Sequence, residues 1–323
     1  MSTKHPEYEI SVLLRNPTDD FRASYPKTKI VQGSYDDAEI LKETASEANI
    51  VVHCGDSDHE GCVSALLAGL DQRSAPSFYI HLSGTMIVAD WKDGQPGGLS
   101  HRVWSDLDDI DAFWSMPEDA MHRNTELIIQ SYFEQHGDRL KTAVVCPPDL
   151  HGKGRGPGKK TSILLPALIE SIQKQGVAFY LNSGTNTRSW VHIDDLMQIY
   201  LSLVEAAAAG GEGADWNHDG YYFASTEEAT QVTLAQAVGK VLKKHGRLAD
   251  PEPKELKIEA IEDMLSAMGL PKFMRYMLTS NGRTRGDRSR KVLGYTPTGD
   301  SLWKTLEEDV VASVAALERE GKI

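Results

Sequence analysis

Only three cysteines occur among the 323 residues, Cys54, Cys62 and Cys146, too few for a disulfide framework. Hydrophobic runs are short: none approaches the ~18 residues of a membrane-spanning helix. No charged-then-apolar signal segment is read at the start. Basic charge is in the minority, with 34 lysines and arginines against 47 acids and a formal net charge of −13. A surface of that sign repels nucleic acid and anionic lipid, so neither is expected as a partner, and an anionic ligand needs a local basic pocket. The cytoplasm is the expected location. Glycine is present 27 times, yet no GxxGxxG or GxGxxG occurs, and GKGRGPGKK does not have the GxxxxGK[ST] spacing of a phosphate loop.

What is present alternates. Ile10 to Leu14 is a continuous apolar run, and Lys29 to Val31 opens a second strand ending in GSYDD. Ala38 to Ala48 has helical spacing, Ile50 to Cys54 is β-rich, and Cys62 to Leu70 is helical. Phe78 to Leu82 is a strand ending in Ser83-Gly84-Thr85, Ala120 to Phe133 an amphipathic helix, and Thr142 to Cys146 a strand halted by Pro147-Pro148. Strand, helix, strand at this spacing predicts an α/β fold with a parallel sheet covered on both faces. Beyond Leu150 the pattern loosens. Helices are expected from about Ser162 to Gln175, to about Ala209, at Leu234 to His245, at Ile258 to Met268 and from about Ser301. The segment AAAAGGEGADWNHDG reads as a flexible surface loop. Residues 1–155 are read as a nucleotide-binding core that also receives 177–209; 156–176 and 210–323 form a smaller substrate lobe.

Seven stretches in order carry a resemblance: strand-end Arg15, GSYDD, VVHCGDS, HLSGT, CPPDLHGKG, GTNTRSWVHIDDL and RGDRSRKVLGYTP. With them the chain resembles the extended short-chain dehydrogenase/reductases, the nucleoside-diphosphate-sugar epimerase/dehydratase group. More narrowly it is similar to fungal NAD-dependent epimerase/dehydratase-like proteins, which shade into NmrA-like regulators. The resemblance implies a Rossmann-like, doubly wound parallel sheet and an NAD(P)-dependent oxidoreductase or epimerase acting on an unknown small molecule. The alternative is a non-catalytic NmrA-like regulator, sensing a nucleotide or metabolite and acting through a protein partner. It implies cofactor contacts at Arg15, Asp36, Asp37, His53, Gly55, Ser83 and Pro147, and substrate contacts at Thr85, Arg188 and Arg285. An arginine at position 15, where the fold meets the adenosine ribose, favours NADP over NAD.

Two departures from the family pattern follow. The strand and glycine turn that come first in the family are missing, as in a truncated chain or a natural variant, so dinucleotide is expected to bind weakly or not at all. That strand would lie at the sheet centre, between Glu9–Asn16 and Asn49–Cys54. Direct pairing of these two, or strand exchange in a homodimer, is expected in preference to an open slot, because unpaired backbone groups are costly. The second departure is the family's Tyr-x-x-x-Lys pair. Glu126 as a landmark puts His122 at the lysine and Glu118 at the tyrosine; a shift by one gives Arg123 and Asp119. Neither register holds a tyrosine. Ser83 fits the serine role, His122 could serve as acid/base and Arg123 could hold ribose or phosphate, or both could make caps and ion pairs. Ser83, Thr85, His122 and Arg123 are expected to converge on one cleft.

HCGDSDHEGC (53–62) lacks paired metal-ligand spacing, so no metal is expected. DLDDIDAFW (106–114) reads as a solvated lid, Asp194 and Asp195 as helix caps, and His192 and Trp190 as packed strand residues. Trp216 is a candidate for an aromatic pocket.

Overall fold

A computed structural model describes residues 1–90, 95–259 and 276–323; most of the helix expected at Ile258 to Met268 lies outside them. Its centre is a four-stranded, all-parallel sheet. The strands β3 (Ile50–His53), β4 (Ser77–Leu82), β6 (Leu140–Cys146) and β10 (Tyr221–Phe223) run in the order β10-β6-β4-β3. The strands β4 and β6 are buried almost throughout, as continuous apolar runs in a covered parallel sheet require. Their period-two alternation sends Tyr79, Val144 and Tyr221 to one face and Ile80, Val145 and Tyr222 to the other. The helices α2 (Ala38–Glu47), α3 (Glu60–Asp71) and α5 (Arg123–His136) cover the first face, and α7 (Ile193–Ala208) covers the second.

The strands β1 (Ser11–Leu14) and β2 (Lys29–Gln32) form a separate parallel pair, joined by α1 (Asp19–Ser24). The expected closure of β1 onto β3 does not occur: β1 pairs with β2 alone and β3 with β4 alone, leaving the slot open in the single chain. Side chains near it join the two cores instead: Leu13, Tyr35 and Val51 pack against the core on one face of the sheet, and Tyr8, Ile50 and Val52 against the core on the other. Both strands are mostly half-buried. Strands that are only half-buried do not sit in a dry core, so unpaired edges there cost less than the expectation of closure assumed.

A second core gathers α6 (Leu164–Gln175), β8 (Phe179–Leu181), α8 (Gln231–Lys244) and α10 (Leu302–Arg319) around Trp190. Between the cores run β7 (Asp149–His151), β9 (Thr187–His192) and β11 (Glu227–Thr230), ordered β11-β9-β7. Within 177–209, β8 pairs with β12 (Lys254–Leu256) and α7 lies on the main sheet.

Three local expectations are corrected. His192, not Asp194 or Asp195, caps α7, its ring accepting from the Asp194 N–H; Asp195 instead accepts from Thr298 and Gly299 N–H. The run at 106–114 is no solvated lid. Asp106 is fully buried and accepts from the Phe223 and Arg288 backbones, and Phe113 and Trp114 of α4 (Ile110–Trp114) enter the core. Trp216 packs on Phe78 and donates to Gly211 O, an anchor for the loop it sits in.

Candidate active site

The site is built where β4 and β6 end and α5 begins. Ser83 N–H continues the ladder to Val145 O at 2.9 Å, and Thr85 N–H reaches Pro147 O at 3.1 Å. The Ser83-Gly84-Thr85 turn is therefore fixed on the end of β6. The first turn of α5 is clamped to the loop after β3: Asn124 Nδ2 donates to Asp58 O at 2.9 Å and Thr125 Oγ1 to Ser57 O at 2.7 Å.

His122, at the α5 N-cap, adopts a left-handed backbone with φ 66°, a strained choice for a non-glycine residue. Its Nδ1 lies 2.8 Å from Asp58 Oδ1 and 3.2 Å from Ser57 Oγ. Its Nε2 faces the turn: a Cβ added to Gly84 would lie 2.9 Å from it. Only glycine permits this approach. A carboxylate orients one imidazole nitrogen and the other is presented beside Ser83 and Thr85, the arrangement that general acid–base chemistry uses.

Arg123 does not join this group. Buried, it donates through Nη2 to Trp114 O at 2.5 Å and Gln130 Oε1 at 2.6 Å, and through Nε to Met116 O at 3.2 Å. Its hydrogen bonds hold the segment entering α5, and none of them reaches Ser83, Gly84 or Thr85. Beneath that turn sits Glu126, whose Oε1 accepts from Ser83 Oγ at 2.6 Å and Tyr221 Oη at 3.0 Å. Burial pushes its pKa up to about 7, against the pull of those hydrogen bonds.

The residues assigned to cofactor are spread along the strand ends. Arg15 is exposed after β1. Asp36 pairs with His59 Nε2 at 3.1 Å, and Asp37 accepts from Ser34 N–H at 2.6 Å. Gly55 is covered by Tyr35, whose hydroxyl would lie 1.8 Å from an added Cβ. His53 is buried in a polar chain: its Nε2 lies 3.7 Å from Cys62 Sγ and its Nδ1 3.3 Å from His81 Nδ1. Desolvation lowers the pKa of both histidines, that of His81 well below the usual value. Among the described residues no group of three or more His, Cys, Asp or Glu side chains could hold a metal.

The two arginines expected to contact substrate are both engaged by carboxylates. Arg188 is buried against Asp149, with Nε–Oδ2 at 2.6 Å and Nη2–Oδ1 at 3.1 Å, and stands 5.5 Å from the Tyr276 ring centroid. Its guanidinium is thus engaged in a structural pair. Arg285 is half exposed and meets Asp287 at 3.0 Å and Asp108 at 3.5 Å.

Asp58, Ser57 and Tyr221 were missed by sequence reasoning. Asp58 had a signal, an acid in the loop leaving a central strand; Tyr221 had none, because its partner Glu126 is 95 residues away.

Comparisons with known proteins bear on the family and the fold. The sequence profile of the NAD dependent epimerase/dehydratase family matches residues 119–218, which include His122, Glu126 and Arg188. The oxidase ucsJ of an Acremonium species is 30% identical over 315 residues, 94% of this chain and 89% of its own length. Among solved structures, DesIV, a dTDP-glucose 4,6-dehydratase of Streptomyces venezuelae seen with NAD bound, matches with a TM-score of 0.64. It is 17% identical, over 100% of this chain and 94% of that one. The UDP-glucose 4-epimerase of Thermotoga maritima matches with a TM-score of 0.63 at 15% identity, over 98% of this chain and 94% of that one.

Proposed function

The chain belongs to the NAD-dependent epimerase/dehydratase family, an extended short-chain dehydrogenase/reductase with a Rossmann-like fold, and from this we propose that it is an NAD(P)-dependent oxidoreductase or epimerase whose acid–base group is His122. The observation that carries the reading is the Asp58–His122 pair with Nε2 beside Gly84. In this reading Asp58 fixes the ring, and His122 Nε2 gives a proton to, or takes one from, a substrate oxygen beside Ser83 and Thr85.

The nicotinamide cofactor would supply the hydride acceptor or donor. The residues present fit its two ends: Arg15, Asp36 and Asp37 on the ribose side, Pro147 and the Ser83–Thr85 turn on the nicotinamide side. Exposed Arg15, free to meet a 2′-phosphate, supports NADP over NAD. Between the ends the fit is poor, since Tyr35 covers Gly55 and the described residues include no GxxGxxG turn to bring backbone N–H groups to a pyrophosphate. Weak binding follows, with a dissociation constant above the micromolar range.

The test is consumption of NADPH and of NADH, each at millimolar concentration, with a panel of aldehydes and ketones. Turnover supports the oxidoreductase reading. Binding by calorimetry without turnover of any carbonyl favours the NmrA-like regulator instead.

A further inference from the structure

Behind the Ser83 turn lies a carboxyl that proton transfer at His122 does not use. Glu126 is fully buried on α5. Ser83 and Tyr221 both bond its Oε1, while its Oε2 is buried without a hydrogen-bond partner. An ionised carboxylate with one dry, unpaired oxygen is costly. A neutral acid protonated on Oε1 lowers that cost: Oε1–H donates to Ser83 Oγ, and only a carbonyl oxygen is left alone, the more tolerable orphan.

The groups facing this carboxyl leave its charge largely uncompensated. From β10 comes the Tyr221 hydroxyl and from β6 the Cys146 thiol, both raised by burial and therefore neutral. From β4 comes Ser83; the buried His81 of that strand reaches α5 only through Thr125, and desolvation keeps it neutral. His122 and Arg123, on its own helix, favour the carboxylate, but less than burial disfavours it.

We propose that Glu126 is a positioning residue that sets the hydrogen-bonding sense of Ser83. With Glu126 ionised, Ser83 donates inward to Oε1 and offers a ligand only its lone pairs. With Glu126 protonated, the carboxyl donates to Ser83, and the serine proton is released toward a ligand oxygen. The proton exchanges with solvent and no covalent bond is made. The protonated state suits a carbonyl oxygen, which accepts; the ionised state suits an alcohol, which donates. This ligand preference rests on the proposed function, whereas the Glu126–Ser83 switch itself does not.

Infrared difference spectra of the free protein between about pH 5 and pH 9 test the switch. The carbonyl stretch of a protonated carboxyl is expected to disappear as pH rises through about 7; E126Q is expected to lose the Glu126 part of that band and to keep the part from Asp106, which burial also raises to about 7. Removing one donor to the carboxylate, in S83A or Y221F, is expected to move the midpoint upward by about one unit. No such band in the wild type, or a midpoint unmoved in S83A, overturns the proposal. If circular dichroism shows E126Q unfolded, the S83A and Y221F midpoints decide alone. With NADPH and benzaldehyde as probe, KM is expected to rise about tenfold over one pH unit above the midpoint, with kcat changing less. E126Q should keep the low-pH KM throughout. A wild-type KM independent of pH overturns the ligand preference. A titrating band without turnover sinks the oxidoreductase reading and spares the switch; turnover without the band does the reverse.

Discussion

His122 Nδ1 and Asp58 Oδ1, 64 residues apart in the chain, lie 2.8 Å from each other, so the loop after β3 aims a ring carried at the start of α5. Replacing Asp58 by Asn keeps the shape but removes the carboxylate that fixes the orientation of the His122 ring. We expect D58N to fold normally and to lower kcat by about 10²–10⁴-fold. A steady-state assay beside a melting curve checks this; a mutant with wild-type kcat would mean that the pair is only a helix cap.

Gly84 and Gly69 separate function from stability. A Cβ at Gly84 meets the far end of the His122 ring, which can swing away, whereas one at Gly69 meets the Lys42 carbonyl at 2.3 Å. G84A is expected to cost under about 1 kcal/mol while lowering kcat at least tenfold. G69A, between α2 and α3, should cost about 1–3 kcal/mol and leave kcat intact. Urea unfolding and turnover measured on the same samples distinguish the two.

Removing Arg188 leaves Asp149 buried and unpaired. R188M is therefore expected to destabilise the protein by about 3–5 kcal/mol, read from urea denaturation. An arginine whose task was to grip a substrate phosphate would instead give a stable protein with raised KM.

Stability should respond to pH with two opposed contributions. His53 and His81 are held below the usual histidine range by burial, and His151 is lowered to about 4. The unfolded chain takes up these protons first, so stability present above pH 6.5 is lost as pH falls from there toward about 4. Glu126 and Asp106, raised to about 7, act the other way: their contribution is complete below about pH 4 and is lost as pH rises through about 7. H151N should weaken the acid-side loss, and E126Q should flatten the opposing slope. Urea midpoints across pH 4–8 test both; a slope unchanged by E126Q would show Glu126 ionised throughout.

The sheet was readable because its strands are apolar in runs and its helices are periodic; β3, β4 and β6 lie within a few residues of where the sequence puts them. The open slot was not, since the packing of Leu13, Tyr35 and Val51 against the core is a property that no local pattern reports. His122 was legible through its distance from Glu126, but its partner Asp58 stood in a crowd of acids and histidines where spacing alone favours none. Arg123 was expected beside His122, but His122 at the N-cap has a left-handed backbone while Arg123 opens the helix and reaches the Trp114 and Met116 carbonyls.

The most direct test of His122 as the acid–base group is the kcat of H122Q against wild type, with NADPH and whichever carbonyl the wild type reduces. Glutamine preserves a hydrogen bond to Asp58 and cannot shuttle the proton. A fall of about 10²–10⁴-fold in a protein with unchanged melting temperature is the expected result. A kcat within a factor of about two of wild type would contradict it.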